Sequence, residues 1–194
     1  MPVTITGSST GLLPGAFSSG TILQSTTGYN NTAATKVFSG EPSAFEEVPG
    51  NLRTTITPLA VGNTMVISAH LHWGGSYGTT NDIGTAFKVY KSTNSGSTWS
   101  ICGNYPTANA NAVGNCATGH YTYNWGDSNA SDFNDHILIH ETVASTSSTI
   151  YAIFWAGSYT NSGNRTFYWN RSVNTGNDYN MTHVCTIQAY EVKA

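Results

Sequence analysis

In the run TMVISAHLHW, residues 64–73, apolar and polar side chains alternate with a period of two. Met65, Ile67, Ala69, Leu71 and Trp73 fall on one side; Thr64, Ser68, His70 and His72, together with Val66, fall on the other. A helix, with about 3.6 residues per turn, would scatter the first set around its circumference, whereas an extended strand gathers it on one face. The run therefore predicts a strand with one buried and one open side. AFKVYK, residues 86–91, alternates likewise, with Phe87 and Val89 opposing Lys88 and Tyr90. IYAIFWAG, residues 150–157, is apolar on both sides, as expected of a central strand covered twice. Its Tyr151 and Trp155 are expected to face a second subunit.

The rest of the chain reads as strand, turn, strand. Strands are expected over 35–38, 52–59, 63–73, 85–92, 98–102, 136–143, 149–156, 165–171 and 182–192. Asn94-Ser95-Gly96-Ser97, Val61-Gly62-Asn63 and Asn161-Ser162-Gly163-Asn164 supply turn residues that tolerate positive φ. Glu, Lys and Arg are scarce while Thr, Tyr, Val, Ile and Trp are plentiful, which opposes helices. The fold class is therefore all-β, a jelly-roll-like β-sandwich of about eight or nine strands with an extended N-terminal arm. An immunoglobulin-like sandwich is disfavoured because its Cys–Trp–Cys arrangement is missing. At 194 residues there is room for one such domain.

Only 9% of the residues are charged, against about 25% in ordinary domains, and the net charge is −3. Without a basic cluster, electrostatic binding of nucleic acid is excluded. No apolar run approaches the ~20 residues that a membrane-spanning helix needs. The N-terminus lacks the basic and long apolar regions of a secretory signal, so a reducing site of synthesis is expected. Residues 1–35 carry no charged side chain, but they hold apolar beads at Val3, Ile5, Leu12, Leu13, Phe17, Ile22 and Leu23. This stretch is expected to be an arm that orders against a partner; a flexible tail or the first strand of the domain are the alternatives. The domain proper is then 36–194, interrupted by a long loop over 103–135. Loops of more than ~15 residues tend to be functional or disordered. Within it HYTYNW, residues 120–125, is expected to form a strand or an exposed platform, with Tyr121, Tyr123 and Trp125 on one side.

Chemistry-bearing constellations are sparse. His70 and His72 lie two apart on a strand, and His136 and His140 share another strand face, so a shared ion is conceivable if the two strands pair. The Glu that follows His-x-His in cupins is missing; Trp73, Gly74, Gly75 and Ser76 stand there instead. Neutral histidines on a solvent or subunit face are the favoured reading. Asp127, Asn129 and Ser131 place side-chain oxygens at alternate positions and echo the opening of a calcium loop, but Asp132 replaces its Gly and Leu138 occupies the position of its bidentate Glu, so an Asx-rich turn is favoured. Glu46 and Glu47 are adjacent and would point apart on a strand. No nucleophile elbow or phosphate-binding glycine motif is present. No catalysis and no cofactor are expected. Cys102, Cys116 and Cys185 default to reduced thiols, with a Cys102–Cys116 bridge as the alternative. Arg171 is expected to stack on an aromatic ring or pair with Glu191, a solvated edge position being the plain alternative. The Asn-x-Ser/Thr sequons, including those at Asn30 and Asn170, are read as compositional accidents.

Four pieces taken together resemble a family of bacteriophage structural proteins found among marine and cyanobacterial phages. They are Ile56-Thr57-Pro58 entering a strand, the NTMVISAHL run, Phe167-Tyr168-Trp169-Asn170-Arg171-Ser172, and the closing strand from Thr186 to Ala194. The resemblance covers about residues 50–194; His183, Cys185 and the long central loop depart from the family pattern. It implies a jelly-roll homotrimer in the virion that decorates capsids, forms neck or tail appendages, or caps fibres. Its implied partners are capsid, portal or tail proteins, with host-surface glycans as a further contact. Two rivals stand beside it. A carbohydrate-binding receptor-recognition module would use Tyr121, Tyr123 and Trp125 with the amides of Asn109, Asn111 and Asn115. A cupin-like metalloenzyme would use His70 and His72.

Overall fold

The computed structural model describes residues 18–39, 45–76, 82–103, 117–123, 131–158, 164–171 and 182–194. These contain twelve β-strands and no helix. In chain order the strands are β1 (Ile22–Asn30), β2 (Ala34–Ser39), β3 (Glu46–Glu47), β4 (Arg53–Ile56), β5 (Thr64–Ser76) and β6 (Asp82–Ser92). They continue as β7 (Ser100–Ile101), β8 (Thr118–Tyr123), β9 (Ser131–Thr142), β10 (Thr149–Ser158), β11 (Asn164–Trp169) and β12 (Cys185–Val192).

The pairing registers reduce twelve strands to eight columns. β1 and β2 form one column that lies antiparallel to β12 and β11 respectively. β3 and β4 share one side of β10, while β7 and β8 share one side of β6. The 13-residue β5 has β9 along one edge and β12 followed by β11 along the other. Numbered by column, the first sheet runs 1-8-3-6 and the second 2-7-4-5. That is the strand order of a jelly roll, two interlocked Greek keys in two antiparallel sheets. The expected fold class is therefore present.

Period two decides what lies between the sheets. Met65, Ile67, Leu71 and Trp73 of β5 are all fully buried, as their alternation predicts. Trp155, Trp169, Phe87 and Phe167 join Trp73 in an aromatic centre with edge-on contacts such as Trp155–Trp169 at 5.7 Å. Edge-to-face packing of this kind contributes roughly 0.5–1.5 kcal/mol per pair beyond the area it buries. β10 is apolar on both sides for a visible reason. On the outside of the second sheet Phe154 packs against Tyr90 (4.3 Å between ring centroids) and Trp99 (5.3 Å), and the Lys88 ammonium lies 4.2 Å above the Phe45 ring.

Two expectations change here. Residues 1–35 are not a single arm: β1 pairs with β12 from Ile22 to Asn30 and belongs to the first sheet, while residues 1–17 lie outside the described residues. Residues 103–135 are not a single loop either: β8 pairs with β6, and β9 begins at Ser131. Where β1 crosses β4 the two sheets nearly touch. A Cβ on Gly28 would sit 1.7 Å from the Arg53 carbonyl oxygen. Gly28→Ala is therefore expected to lower stability by about 2–3 kcal/mol, the range for a side chain forced into packed space, and a urea melt of the variant checks it.

Candidate functional site

Among the described residues the space between the sheets holds the apolar core. The outer face of the first sheet is the most distinctive surface. Its register forms cross-strand rows from β1 to β9. One row is Tyr29, Thr186, His70 and His136. The next is Thr27, Gln188, Ser68 and Leu138. A third is Ser25, Tyr190, Val66 and His140, and a fourth is Ile22, Val192, Thr64 and Thr142. These rows contain no Asp, Glu, Lys or Arg. Tyr29 is 72% exposed and Leu138 is 66% exposed.

Imidazoles gather at one end of this face. His70 stacks on its register partner His136, with ring centroids 4.5 Å apart and planes within 16°. His72 stacks on His183 at 3.4 Å and 23°. His183 is held just before β12, where its backbone N–H donates to the Asn170 carbonyl at 2.9 Å. The His72 Nδ1 lies 3.0 Å from Asn134 Oδ1. An amide oxygen only accepts, so Nδ1 carries the proton. The buried Nε2 then keeps a free lone pair, with no hydrogen-bond partner among the described residues. Burial lowers the pKa of His70, and the neighbouring His136 and His183 lower it further. Burial also lowers that of His72; the bond that its Nδ1 donates to Asn134 and the charge of Asp132 oppose this without reversing it. Both shifts favour the neutral imidazole.

Of the four sequence-predicted histidines the structure joins His70 to His136, since β5 and β9 do pair. His140 opposes Val66, two rows from His136, and His72 takes His183 instead. Among the described residues no three His, Cys, Asp or Glu side chains come together as metal ligands. His183 was overlooked as a partner because it stands alone in sequence, 111 positions from His72 by number.

Several other expectations are corrected. Tyr151 and Trp155 do not face a second subunit: they are 2% and 0% exposed and point into the core of this chain. Of the two contacts expected of Arg171 the aromatic one is present: its guanidinium lies 5.4 Å from the Tyr168 ring centre. Glu191 faces inward with Ile187 and Ala189 and is fully buried. Tyr121 and Tyr123 lie on β8, opposite Gly84 and Asp82 in the second sheet. Trp125 and the amides of Asn109, Asn111 and Asn115 lie outside the described residues, as do positions 127–130 of the calcium-like segment. Glu46 and Glu47 point apart as expected, to Lys36 (2.8 Å) and to Arg53, which grips Glu47 through two bonds of 2.6 Å. Cys102 and Cys185 are buried, free thiols, and Cys116 lies outside the described residues. The sequons at Asn30 and Asn170 are sealed: both side chains are buried, and Asn170 Nδ2 donates to the Asn30 carbonyl at 2.9 Å.

At the margin where β9 approaches β7, an open polar cleft of about 550 Å³ is lined by Lys91, Ile101, His140 and Glu141 among others. At the cleft Lys91 pairs with Glu141, whose Oε1 also accepts a 2.7 Å bond from the Tyr151 hydroxyl. Burial and then the Glu141 charge push the Cys102 thiol and the Tyr151 phenol well above their ordinary pKa values. Both stay protonated, so this cluster holds no activated nucleophile. It is an ion pair with its ligands, closing the open edge between the sheets.

No family model and no curated protein matches this chain. Among solved structures, one of infectious bursal disease virus, Gx strain, is similar over 89% of this chain with 10% identity and a TM-score of 0.38. One of the Gt strain is similar over 89% with 13% identity and a TM-score of 0.29. This chain spans 37% of the length of each of those chains. The jelly-roll assignment rests on the strand order itself.

Proposed function

We propose that this chain is a structural protein of a virus particle, a jelly-roll subunit that assembles with copies of itself and with other particle proteins and has no catalytic role. The observation that carries this reading is the outer face of the first sheet, an area of paired strands without Asp, Glu, Lys or Arg in its four rows. A surface left in water is ordinarily wetted by charge, and depletion of charge marks the centres of interfaces. The packed aromatic interior supports it too, because it leaves the outside to do the work. The resemblance to phage structural proteins supports a finer version, in which the subunit decorates a capsid or builds a neck, tail or fibre appendage as a trimer. In that version the uncharged residues 1–17, with their apolar beads, dock on the particle.

Peptide mass spectrometry of purified particles of the virus that encodes the chain tests the reading. The chain is expected in them in fixed proportion to the major shell protein. Absence from particles alongside abundance in the infected-cell lysate would overturn the proposal. A second reading, a glycan-recognition module, is favoured by the open polar cleft at Lys91, His140 and Glu141. Absence from particles combined with binding on a glycan array would support that one instead.

A further inference from the structure

We propose that the outer face of the first sheet is the contact between two copies of this chain, and that acidification opens it. This rests on the reading of the chain as an assembling subunit and names the partner and the control of that same face.

Charge selects the partner. The four rows from β1 to β9 offer no Asp, Glu, Lys or Arg. A strongly acidic or basic partner would find nothing to pair with and would bury its own charges at a cost. A second copy brings an equally uncharged lattice, and a two-fold contact sets the face against itself. The size sets the strength. Four columns ~4.8 Å apart and the stretch of β5 from Thr64 to His70, rising ~3.4 Å per residue, span roughly 19 by 24 Å. That is about 450 Å² per partner, the size of a weak, reversible contact. Tyr29 and Leu138, the most exposed large side chains on these rows, supply apolar contact at its two margins.

The histidines make the contact conditional on pH. His70 against His136 and His72 against His183 already lie ring to ring, so charging one disfavours charging its neighbour. Among the described residues the acidic group facing them on the sheet is Asp132 of β9, which acts on His72. The other titratable or charged groups on this side are Tyr29 of β1, Tyr168 of β11, Tyr190 of β12, His140 of β9, and Arg171, which is stacked on Tyr168. None of these neutralises a set of imidazolium ions. A second copy laid over the face removes water and brings further imidazoles close, which lowers histidine pKa values in the assembled state. The sign follows: association is complete above the free-state pKa and is lost as the pH falls through it. At pH 5.5 an imidazole of ordinary pKa that stayed neutral in the contact would weaken it by about tenfold, and His70, whose pKa is already lowered in the free chain, contributes less than that.

Sedimentation velocity of the full chain at pH 7.5 and pH 5.5 tests this, with Leu138→Lys and the double variant His70→Gln/His136→Gln. The wild type is expected to associate at pH 7.5, with a Kd that rises severalfold at pH 5.5. Leu138→Lys is expected to melt like the wild type and to be monomeric at both pH values. The double variant is expected to associate at pH 7.5 and to lose most of the pH effect. A wild type that is monomeric at pH 7.5 up to millimolar concentration overturns the inference. So does association that ignores Leu138→Lys, or a pH effect that survives in the double variant. Mass spectrometry of particles separates the two failures. A chain that is present in particles but associates through another surface sinks this inference alone. A chain that is absent from particles yet pairs through this face sinks the particle reading alone.

Discussion

Replacing Glu191 by alanine is expected to lower folding stability by about 4 kcal/mol, or about 8–16 °C in Tm for a domain of this size. The carboxylate is fully buried near the end of β12 and accepts four bonds. Gln24 Nε2 and Asn63 Nδ2 each donate at 2.6 Å, and the Leu59 and Ala60 backbone N–H groups donate at 2.8 and 3.1 Å. One side chain thus ties β1, the turn between β4 and β5, and the C-terminal strand together. Alanine would leave those donors without an acceptor, at about 1–3 kcal/mol for each one that water does not reach. Burial alone would raise the pKa of Glu191; the four donors outweigh it and hold the value below the ordinary 4.5. A depressed carboxylate stabilises the fold above its unfolded pKa and loses that contribution as the pH falls through the folded value. The gap between wild type and Glu191→Gln in a urea titration should therefore be widest near neutral pH and shrink below about pH 4.5. An equal gap at pH 7 and pH 3 would show that the charge is not what the four donors hold.

Trp155→Ala is expected to cost about 3–5 kcal/mol without any change in assembly beyond the loss of folded protein. The indole is fully buried between Phe38, Phe167 and Trp169, with centroid distances of 5.4, 6.1 and 5.7 Å. Removing it leaves a cavity bounded by both sheets, which cannot collapse without breaking their registers. Trp155→Phe is expected to be much milder. The Trp155 Nε1 has no hydrogen-bond partner among the described residues, so phenylalanine loses volume but no bond. Trp73→Phe would be worse than Trp155→Phe, since Trp73 Nε1 donates to Asp135 Oδ2 at 2.6 Å. Chemical denaturation of the three variants gives the order. A Trp155→Ala protein of wild-type stability and altered mass would return this residue to the subunit contact that its sequence context predicts.

How far the sequence could be read depended on whether one face of a strand differs from the other. β5 could be read because its inner side is apolar and its outer side mostly polar, so parity alone placed Met65 through Trp73 in the core. β10 could not be oriented, because Phe154, Trp155 and Ala156 are all buried, Phe154 beneath Tyr90 and Trp99 on the outer side. Parity then gives no direction, and Trp155 was assigned to the wrong surroundings. β1 was folded into the expected arm for the opposite reason. ILQSTTGYN has almost no apolar alternation, and its order comes from backbone pairing with β12. Glu191 could be placed on a strand but not given its ligands, which lie 128 to 167 residues away.

Alternation, turn residues and the scarcity of charge determined by themselves that this chain forms antiparallel strands with an apolar side, and that it does so in a single sandwich. Side-chain parity and turn sterics act between neighbours, so they are written locally. The tertiary structure alone decided that β12 and β9 flank β5, that His72 meets His183, and that the four outer rows come together free of charge. Those outcomes depend on which distant strands pair and in which register. The winner is chosen by how completely the two inner faces fill the space between the sheets, and that is a property of the whole chain.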